Sequence, residues 1–496
     1  MNCWYRGRDA INRVSTNEGT NMFDDRSRKY KNQYVPLDPV NIDLYEEFVG
    51  KEFLDDLKFL AEPLERKVWA NVNSTFIGGG VAEMLQSEVP FARGLGIDAR
   101  WFVIEGSDEF FSVTKKFHNL LQGVEQEITL REIFHAYLDT IDENTKGIRV
   151  VGHMITIHDP QPAAMIMNGN IYGHILWRCH IDTSNASRKI WRFLMPYINQ
   201  YEGAIFTSSE FIRSNVQIPT YEISPSIDPL RQKNKFYTKK DAKRILEPIL
   251  NEHNIDPERP IIAAVSRYDM HKNQKTIIEA FKALKGNLSK KQNPILIIMG
   301  NSASDDPEGT KTYEEIKKTA EGEKDIHLLL NVDNNDEVVG ALLTLAECFV
   351  HVSTKEGFGL VVAEAMWQGT PVIGSKVGGI KKQVVNGHNG FLVGPYDAAG
   401  IAQAMKSILE DKTLKETLSR NAKETVRQHF LLPQMIYKEL LLMRYCLEID
   451  NKVPKFRINK LTYKEIIQAL YGRTVWPFST DDLKGRIKII WEGLEK

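Results

Sequence analysis

Short apolar runs of strand length recur along this chain, and each ends in glycine or polar residues before a stretch of helical periodicity begins. In the first half Lys67-Val-Trp-Ala-Asn-Val72, Ala99-Arg-Trp-Phe-Val-Ile104 and Val150-Val-Gly-His-Met-Ile-Thr-Ile-His158 read as buried strands, as do the runs opening at Ile171, Ala204 and Tyr221. Between them Val81, Met84, Leu85, Val89 and Ala92 are spaced to bury one helix face, and further helical stretches run near Phe110 to Leu121, Leu130 to Asn144 and Ser187 to Asn199. The second half repeats the device with Ile261–Val265, Ile295–Gly300, Ile326–Leu330, Cys348–Ser353, Pro371–Gly374 and Gly390–Val393. This alternation predicts an α/β protein with two doubly wound parallel sheets. A chain of 496 residues also exceeds the size at which one core keeps growing, so two domains with a cleft between them are expected.

Composition shifts set the expected boundaries. Residues 1–45 are polar and irregular and read as an N-terminal extension, with the first domain over 46–230. Pro225-Ser-Ile-Asp-Pro229 breaks the alternation, and the charged, proline-punctuated stretch 231–259 reads as a linker to a second domain over 260–430. A last helix falls within 431–448. Residues 449–496 form a C-terminal extension whose Trp476, Trp491 and stripe of Ile487, Ile490 and Leu494 need an apolar surface, on the protein itself or in a homodimer.

A formal net charge of −1, with both signs spread along the chain, leaves no electrostatic footprint for nucleic acid or an anionic membrane. Four cysteines, Cys3, Cys179, Cys348 and Cys446, show neither metal-ligand nor redox spacing and read as reduced thiols. The N-terminus lacks an apolar leader and no apolar run is long enough to span a bilayer, so the expectation is a cytoplasmic protein without membrane partners.

The chemistry concentrates at strand ends. Cys348-Phe-Val-His-Val-Ser353 runs into Thr354-Lys-Glu-Gly-Phe-Gly-Leu-Val-Val-Ala-Glu364, a glycine loop that carries Glu356 and meets Glu364 inside the following helix. Gly357 and Gly359 let the backbone approach a ligand closely, and the N–H groups opening the helix favour anionic or hydroxyl-rich partners. On the residues alone, Glu356 could equally complement the helix dipole and Glu364 could be a solvated helix residue. The strand Ile261–Val265 delivers Arg267 and Lys272, two cations suited to a developing diphosphate. In the first half, Asn73-Ser-Thr-Phe-Ile-Gly-Gly-Gly80 is a phosphate-cradle pattern, though neither a dinucleotide fingerprint nor a Walker loop. His158 ends one strand beside Asp159 and Gln161, and Arg178, His180 and Asp182 end the next. A zinc site is not read from these, because the histidines lack ligand spacing and come from separate strands.

Together Phe76-Ile-Gly-Gly-Gly-Val-Ala-Glu-Met-Leu85, Arg100-Trp-Phe-Val-Ile-Glu105, His158-Asp-Pro-Gln161, Trp177-Arg-Cys-His-Ile-Asp-Thr183, Ser266-Arg267 and Glu356-Gly-Phe-Gly359 resemble the trehalose glycosyltransferring synthases, over roughly residues 60 to 445. The resemblance implies a GT-B fold, two Rossmann-like domains facing across a cleft, with the 431–448 helix crossing back to the first. It implies a retaining, reversible transfer of glucosyl from a nucleoside-diphosphate glucose to free glucose, giving α,α-trehalose. No cofactor is required beyond the nucleotide-sugar co-substrate, and Mg²⁺ is allowed but not needed. Carried over by position, the catalytic set is His158, Arg267, Lys272 and Glu356. Arg267 and Lys272 hold the diphosphate, Glu364 the ribose, and Glu356 with Gly357, Phe358, Gly359 and Leu360 the donor glucose. Gly79 and Gly80 close over the phosphates, while Asp159, Gln161, Arg178, His180 and Asp182 belong to the acceptor side. Lys355 stands where the family pattern has arginine, and Met270-His271 replace Pro-Trp. Two alternatives stay open: a retaining trehalose phosphorylase using inorganic phosphate, and a catalytically silent sugar-nucleotide sensor. The base of the donor, UDP, ADP or GDP, is open as well.

Overall fold

The computed structural model describes residues 34–449, apart from 78, 168–169, 289–291, 301–306 and 334. The apolar stripe expected at Ile487, Ile490 and Leu494 lies outside the described residues. Among those described, no helix is long and apolar enough to cross a membrane. The chain forms two compact units, one running to Ser224 and resuming at Met435, the other spanning Pro225–Gln434.

The first unit is built on six strands: β1 (Val68–Asn73), β2 (Asp98–Val103), β3 (Val150–His158), β4 (Ile171–Cys179), β5 (Gly203–Phe206) and β6 (Thr220–Glu222). They form one sheet in the order β2-β1-β3-β4-β5-β6, and every pairing is parallel. Parallel pairing demands crossovers and buries both sheet faces, which is why these strands are apolar runs rather than polar–apolar alternations. The helix Asp108–Leu121 illustrates the cover: Ser107 caps it by accepting from the Phe110 amide at 3.2 Å, and Phe110, Val113, Phe117, Leu120 and Leu121 are buried on one face. Each such side chain contributes roughly 1.5–3 kcal/mol on burial. The expected helix over Leu130 to Asn144 departs in its first half, where Glu132–Leu138 is π-helical. That register places the Tyr137 hydroxyl 2.8 Å from the Pro160 carbonyl it donates to, in the loop after β3.

The second unit holds β7 (Ile261–Val265), β8 (Ile295–Gly300), β9 (Ile326–Leu330), β10 (Ala346–His351), β11 (Val372–Ser375) and β12 (Gly390–Val393), again all parallel, in the order β12-β11-β10-β7-β8-β9. Counted from its first strand this is the 3-2-1-4-5-6 order of a Rossmann fold. Strand order reverses between β7 and β10 here, and between β1 and β3 in the first unit. Ligands of open α/β sheets gather outside the carboxyl ends of strands at such reversals.

Two expected boundaries are corrected. Residues 34–45, read as part of a polar extension, pack on the first unit: the Val35 amide donates to Trp101 O at 3.0 Å, and Ile42 and Tyr45 are buried, Tyr45 edge-on to Phe91. The stretch read as a linker, 231–259, belongs to the second unit. Trp367 Nε1 donates to Asn234 O at 2.9 Å, Gln368 Nε2 donates to the carbonyls of Lys233 and Lys235, and the helix Lys239–Glu252 buries Ala242, Leu246 and Leu250. Its charge density hid an apolar stripe at helical spacing. The helix Leu432–Cys446 starts in the second unit and its body belongs to the first, where Tyr437 stacks on Phe53 and Arg444 donates to Leu60 O at 3.1 Å.

Candidate functional site

In the second unit the loop after β10 and the loop after β7 are laced together at the order reversal. The Thr354 amide donates to His271 O at 2.8 Å, and Asn273, in the left-handed region at φ 54°, sends its Nδ2 to Val352 O and Pro395 O. Asp269 caps the short turn Met270–Lys272 through the His271 amide at 2.7 Å, and Gln274 Nε2 donates to Arg267 O at 2.9 Å. Lys272 is thereby aimed at Glu356, its Nζ lying 2.7 Å from Oε2. The same oxygen accepts from His351 Nε2 at 2.7 Å and Ser353 Oγ at 3.1 Å.

Burial alone would raise the Glu356 carboxyl, but the Lys272 charge and the His351 hydrogen bond outweigh it and hold the group well below the usual carboxylate range. Burial in turn lowers His351, despite the pull of Glu356. The result is a fixed anion whose hydrogen bonds from Lys272, His351 and Ser353, among the described residues, all fall on Oε2. His351 and Ser353 were missed by the sequence reading, although their spacing of two at the end of a strand puts both on one face.

The glycine loop turns its amides the other way. Glu356 O accepts from the Gly379 amide at 3.1 Å, while Gln383 Nε2 donates to Phe358 O at 2.6 Å and Gly359 O at 3.3 Å. Across a planar trans peptide the N–H points opposite to the carbonyl, so the amides of Gly357, Gly359 and Leu360 face away from that scaffold. Gly359 has φ 82° and directly precedes the helix Leu360–Trp367. A Cβ on Gly379 would lie 2.5 Å from Gly357 O and from Phe358 Cα, so only glycine lets the two loops stack. Glu364 is not a solvated helix residue: it is 2% exposed and lies 2.7 Å from Lys233 Nζ. Arg267 is exposed.

In the first unit the loop after β1 is braced by Asn73, which donates to Thr75 O at 2.6 Å and accepts from Trp101 Nε1 at 2.7 Å. Gly79, at φ 78°, has nothing within 4 Å of where a Cβ would stand, so its requirement is conformational rather than steric. Gly80 opens the helix Gly80–Gly94.

Beside that loop, His158 at the end of β3 hydrogen-bonds Asn71 Oδ1 through Nε2 at 2.9 Å and His180 through Nδ1 at 3.0 Å, the two rings lying 7° from parallel. Burial lowers both imidazoles well below their ordinary range, and the Arg178 charge adds to it. Asp159, at φ 64°, donates its amide to Arg178 O and accepts the His180 amide on Oδ1, both at 2.8 Å. Its carboxyl is pushed up to about 7 by burial, against the His180 amide and Arg178. Gln161 Oε1 is enclosed and has no hydrogen-bond partner among the described residues.

The other two residues expected on the acceptor side point elsewhere. Arg178 is 1% exposed and faces inward to Glu439 at 2.5 Å and Glu88 at 3.5 Å, with Nη2 on Met435 Sδ. Asp182 caps its own turn through the amide and hydroxyl of Ser184, at 3.0 and 2.6 Å. Asn71 was missed; a polar residue central in a buried strand must have a partner, and that was the signal.

The model of the trehalose synthase N-terminal domain matches residues 71–213, and that of group 1 glycosyl transferases matches 247–425. The trehalose synthase of Thermococcus litoralis is 38% identical over 80% of this chain and 95% of its own. The trehalose phosphorylase of Grifola frondosa is 28% identical over 78% of this chain but 58% of its own. Among solved structures, a UDP-forming α,α-trehalose-phosphate synthase from Burkholderia vietnamiensis superposes with a TM-score of 0.60 at 13% identity, over 78% of this chain and 99% of that one. The likeness in structure shows the GT-B fold alone. Sequence identity sustained through both units, together with the two matching models, places the chain in the trehalose synthase family of group 1 glycosyltransferases.

Proposed function

We propose that this enzyme transfers glucosyl from a nucleoside-diphosphate glucose to free glucose, with retention, to give α,α-trehalose, and that it runs the reaction in both directions. The observation that carries the reading is the charge arrangement at the β7/β10 reversal: a fixed Glu356 anion, Lys272 on it, Arg267 on the same loop, and the amides of Gly357, Gly359 and Leu360 turned away from their scaffold. A leaving diphosphate needs cations and amides, and a donor sugar needs a carboxylate oxygen to accept its hydroxyls. Glu356 Oε1 fills the second role, because Oε2 is taken. Glu364, held by Lys233, contacts the ribose.

In the transfer the bond from C1 to the phosphate oxygen breaks, the acceptor hydroxyl bonds C1 from the same face, and its proton passes to the departing diphosphate. Asp159, Gln161 and His180 contact the acceptor, while Arg178 and Asp182 act from behind as positioning residues. The nucleotide is favoured over inorganic phosphate by coverage: the chain spans 95% of the synthase but 58% of the phosphorylase. The Burkholderia vietnamiensis relative is UDP-forming, in keeping with a nucleotide donor.

The test is a panel of UDP-, ADP- and GDP-glucose with glucose, read by product identity. Trehalose and the matching nucleoside diphosphate are expected, and trehalose with that diphosphate should regenerate the nucleotide sugar. Cleavage of trehalose by inorganic phosphate alone, yielding glucose 1-phosphate, would overturn the donor assignment.

A further inference from the structure

Lys233 is a buried cation that no step of the transfer uses. It stands on the turn Gln232–Asn234, and that turn is bound to the end of the helix that carries Glu364. Gln368 Nε2 donates to Lys233 O at 3.1 Å and to Lys235 O at 2.9 Å, and Trp367 Nε1 donates to Asn234 O at 2.9 Å. The Phe236 ring packs on Trp367 with centroids 4.9 Å apart. A Cβ at Gly340 would lie 2.7 Å from Lys233 O and from Tyr237 Cε2, so the helix Asn335–Leu345 sits directly on this backbone. Gln368 and Glu364 are four residues apart and hence stacked on one face of their helix. The clamp therefore fixes Lys233 against Glu364, and the ammonium reaches Oε1 at 2.7 Å with both residues buried.

A carboxylate taken out of water is disfavoured unless a counter-charge accompanies it. An ionised carboxylate accepts hydrogen bonds at both oxygens, whereas a protonated one gives part of that capacity over to donation. The vicinal diol of a ribose brings two donors together, and hydrogen bonds to a charged acceptor are roughly twice as strong as neutral ones. A counter-charge behind Glu364 thus decides whether its carboxylate can hold both hydroxyls. We propose that Lys233 is a positioning residue for the donor: by holding Glu364 as an oriented carboxylate, it makes the enzyme select ribonucleotides over 2′-deoxyribonucleotides. The proposal rests on the reading of the donor as a nucleoside-diphosphate sugar, but not on the acceptor or on the stereochemistry of transfer. The ammonium acts through Glu364 and needs no contact with the sugar.

Lys233→Met removes the charge at similar length, and Lys233→Arg keeps it. Titration calorimetry of the full chain with UDP, ADP and GDP, each beside its 2′-deoxy counterpart, reads the selection directly. For the base that binds, the native protein should hold the ribonucleotide tighter by on the order of tenfold to a hundredfold, the range for a hydrogen bond to a charged group. In Lys233→Met that ratio should fall to about threefold, and in Lys233→Arg it should stay above about tenfold. Steady-state rates with the matching nucleotide sugar should show donor KM raised about tenfold in Lys233→Met, with kcat within about twofold of native and KM for glucose unchanged.

A ratio in Lys233→Met equal to the native one, even with weaker binding of both nucleotides, means that Lys233 is merely structural and overturns the proposal. If that variant fails to fold, Lys233→Gln, which keeps a donor beside Glu364 without the charge, is measured in its place, and an unchanged ratio has the same meaning. A native protein that makes trehalose but binds ribo- and deoxyribonucleotides equally overturns the proposal and leaves the functional reading standing. Selection that disappears with the Lys233 charge, in a protein that makes no trehalose from any nucleotide sugar, supports the proposal and overturns the functional reading. Failure to bind any of these nucleotides overturns both.

Discussion

Replacing Lys272 by alanine tests the charge arrangement at its most connected point. The substitution removes the ammonium 2.7 Å from Glu356 Oε2 and leaves the carboxylate with His351 and Ser353. Two separable effects follow. The first is on stability: a fully buried pair broken on one side costs roughly 3–5 kcal/mol, but Lys272 and Glu356 keep some solvent contact and two neutral donors remain, so about 2 kcal/mol is expected. In a unit of this size that is a melting temperature lowered by roughly 4–8 °C. The second is on rate: a charge-assisted donor to the departing diphosphate contributes about 3 kcal/mol in the transition state, on the order of a hundredfold in kcat. The assay is release of nucleoside diphosphate at saturating donor and glucose, beside a thermal melt of the same preparation. Because the rate is measured on folded protein, the two effects do not mix. A kcat within about threefold of native, with only donor KM raised, would show that Lys272 docks the donor and that the leaving group draws its charge elsewhere.

Arg267→Ala should lower kcat on the order of a hundredfold with an unchanged melting temperature, since the exposed guanidinium is not part of the buried network; a lowered melt would mean it is. Glu364→Gln should raise donor KM with little change in kcat, because a ribose contact is made equally in ground and transition states, and equal falls in kcat and kcat/KM would contradict that role. Tyr137→Phe removes the hydroxyl that donates to Pro160 O at 2.8 Å, so it should cost about 1 kcal/mol in stability and raise KM for glucose but not for the donor, as measured by two-substrate kinetics. Glu88 is pushed up to about 8 by burial and by Glu439, against Arg178, so the folded state holds a proton that the unfolded chain releases near 4.5. Its contribution is complete below that lower value and is lost as pH rises toward 8. Melting temperature should therefore fall between pH 5 and 8, and fall less in Glu88→Gln.

What the sequence made legible was periodic. Strands such as Ile261–Val265 and Ile295–Gly300 are apolar because parallel sheets bury both faces, and the residues that end them fall where strand order reverses. Glu356, Lys272 and His158 were therefore visible as polar residues at strand ends. What was not legible depends on orientation at a single residue. Nothing in Trp177-Arg-Cys-His180 says that Arg178 turns to Glu439 while His180 turns to His158, because the partner of Arg178 lies 261 positions away on the last helix. The stretch 231–259 misled for a related reason: charge was counted along the chain, whereas Ala242, Leu246 and Leu250 share one face of a helix.

The two strand-order reversals have been given opposite electrostatic characters, and each suits the partner proposed for it. At β7/β10 the groups are ionised: burial alone would neutralise Glu356, yet Lys272 and His351 keep it anionic, so charge is held fixed where a diphosphate develops it. At β1/β3 the groups are neutral: burial, and after it the Arg178 charge, keeps His158 and His180 uncharged, and the Arg178 guanidinium is itself buried against Glu439. A neutral sugar gains little from a bare charge and much from hydrogen bonds, and an uncharged imidazole offers one nitrogen that donates and one that accepts. Exchanging the characters would fail on both sides, since neutral donors would leave the diphosphate underbalanced and a buried imidazolium could only donate where a hydroxyl must be accepted.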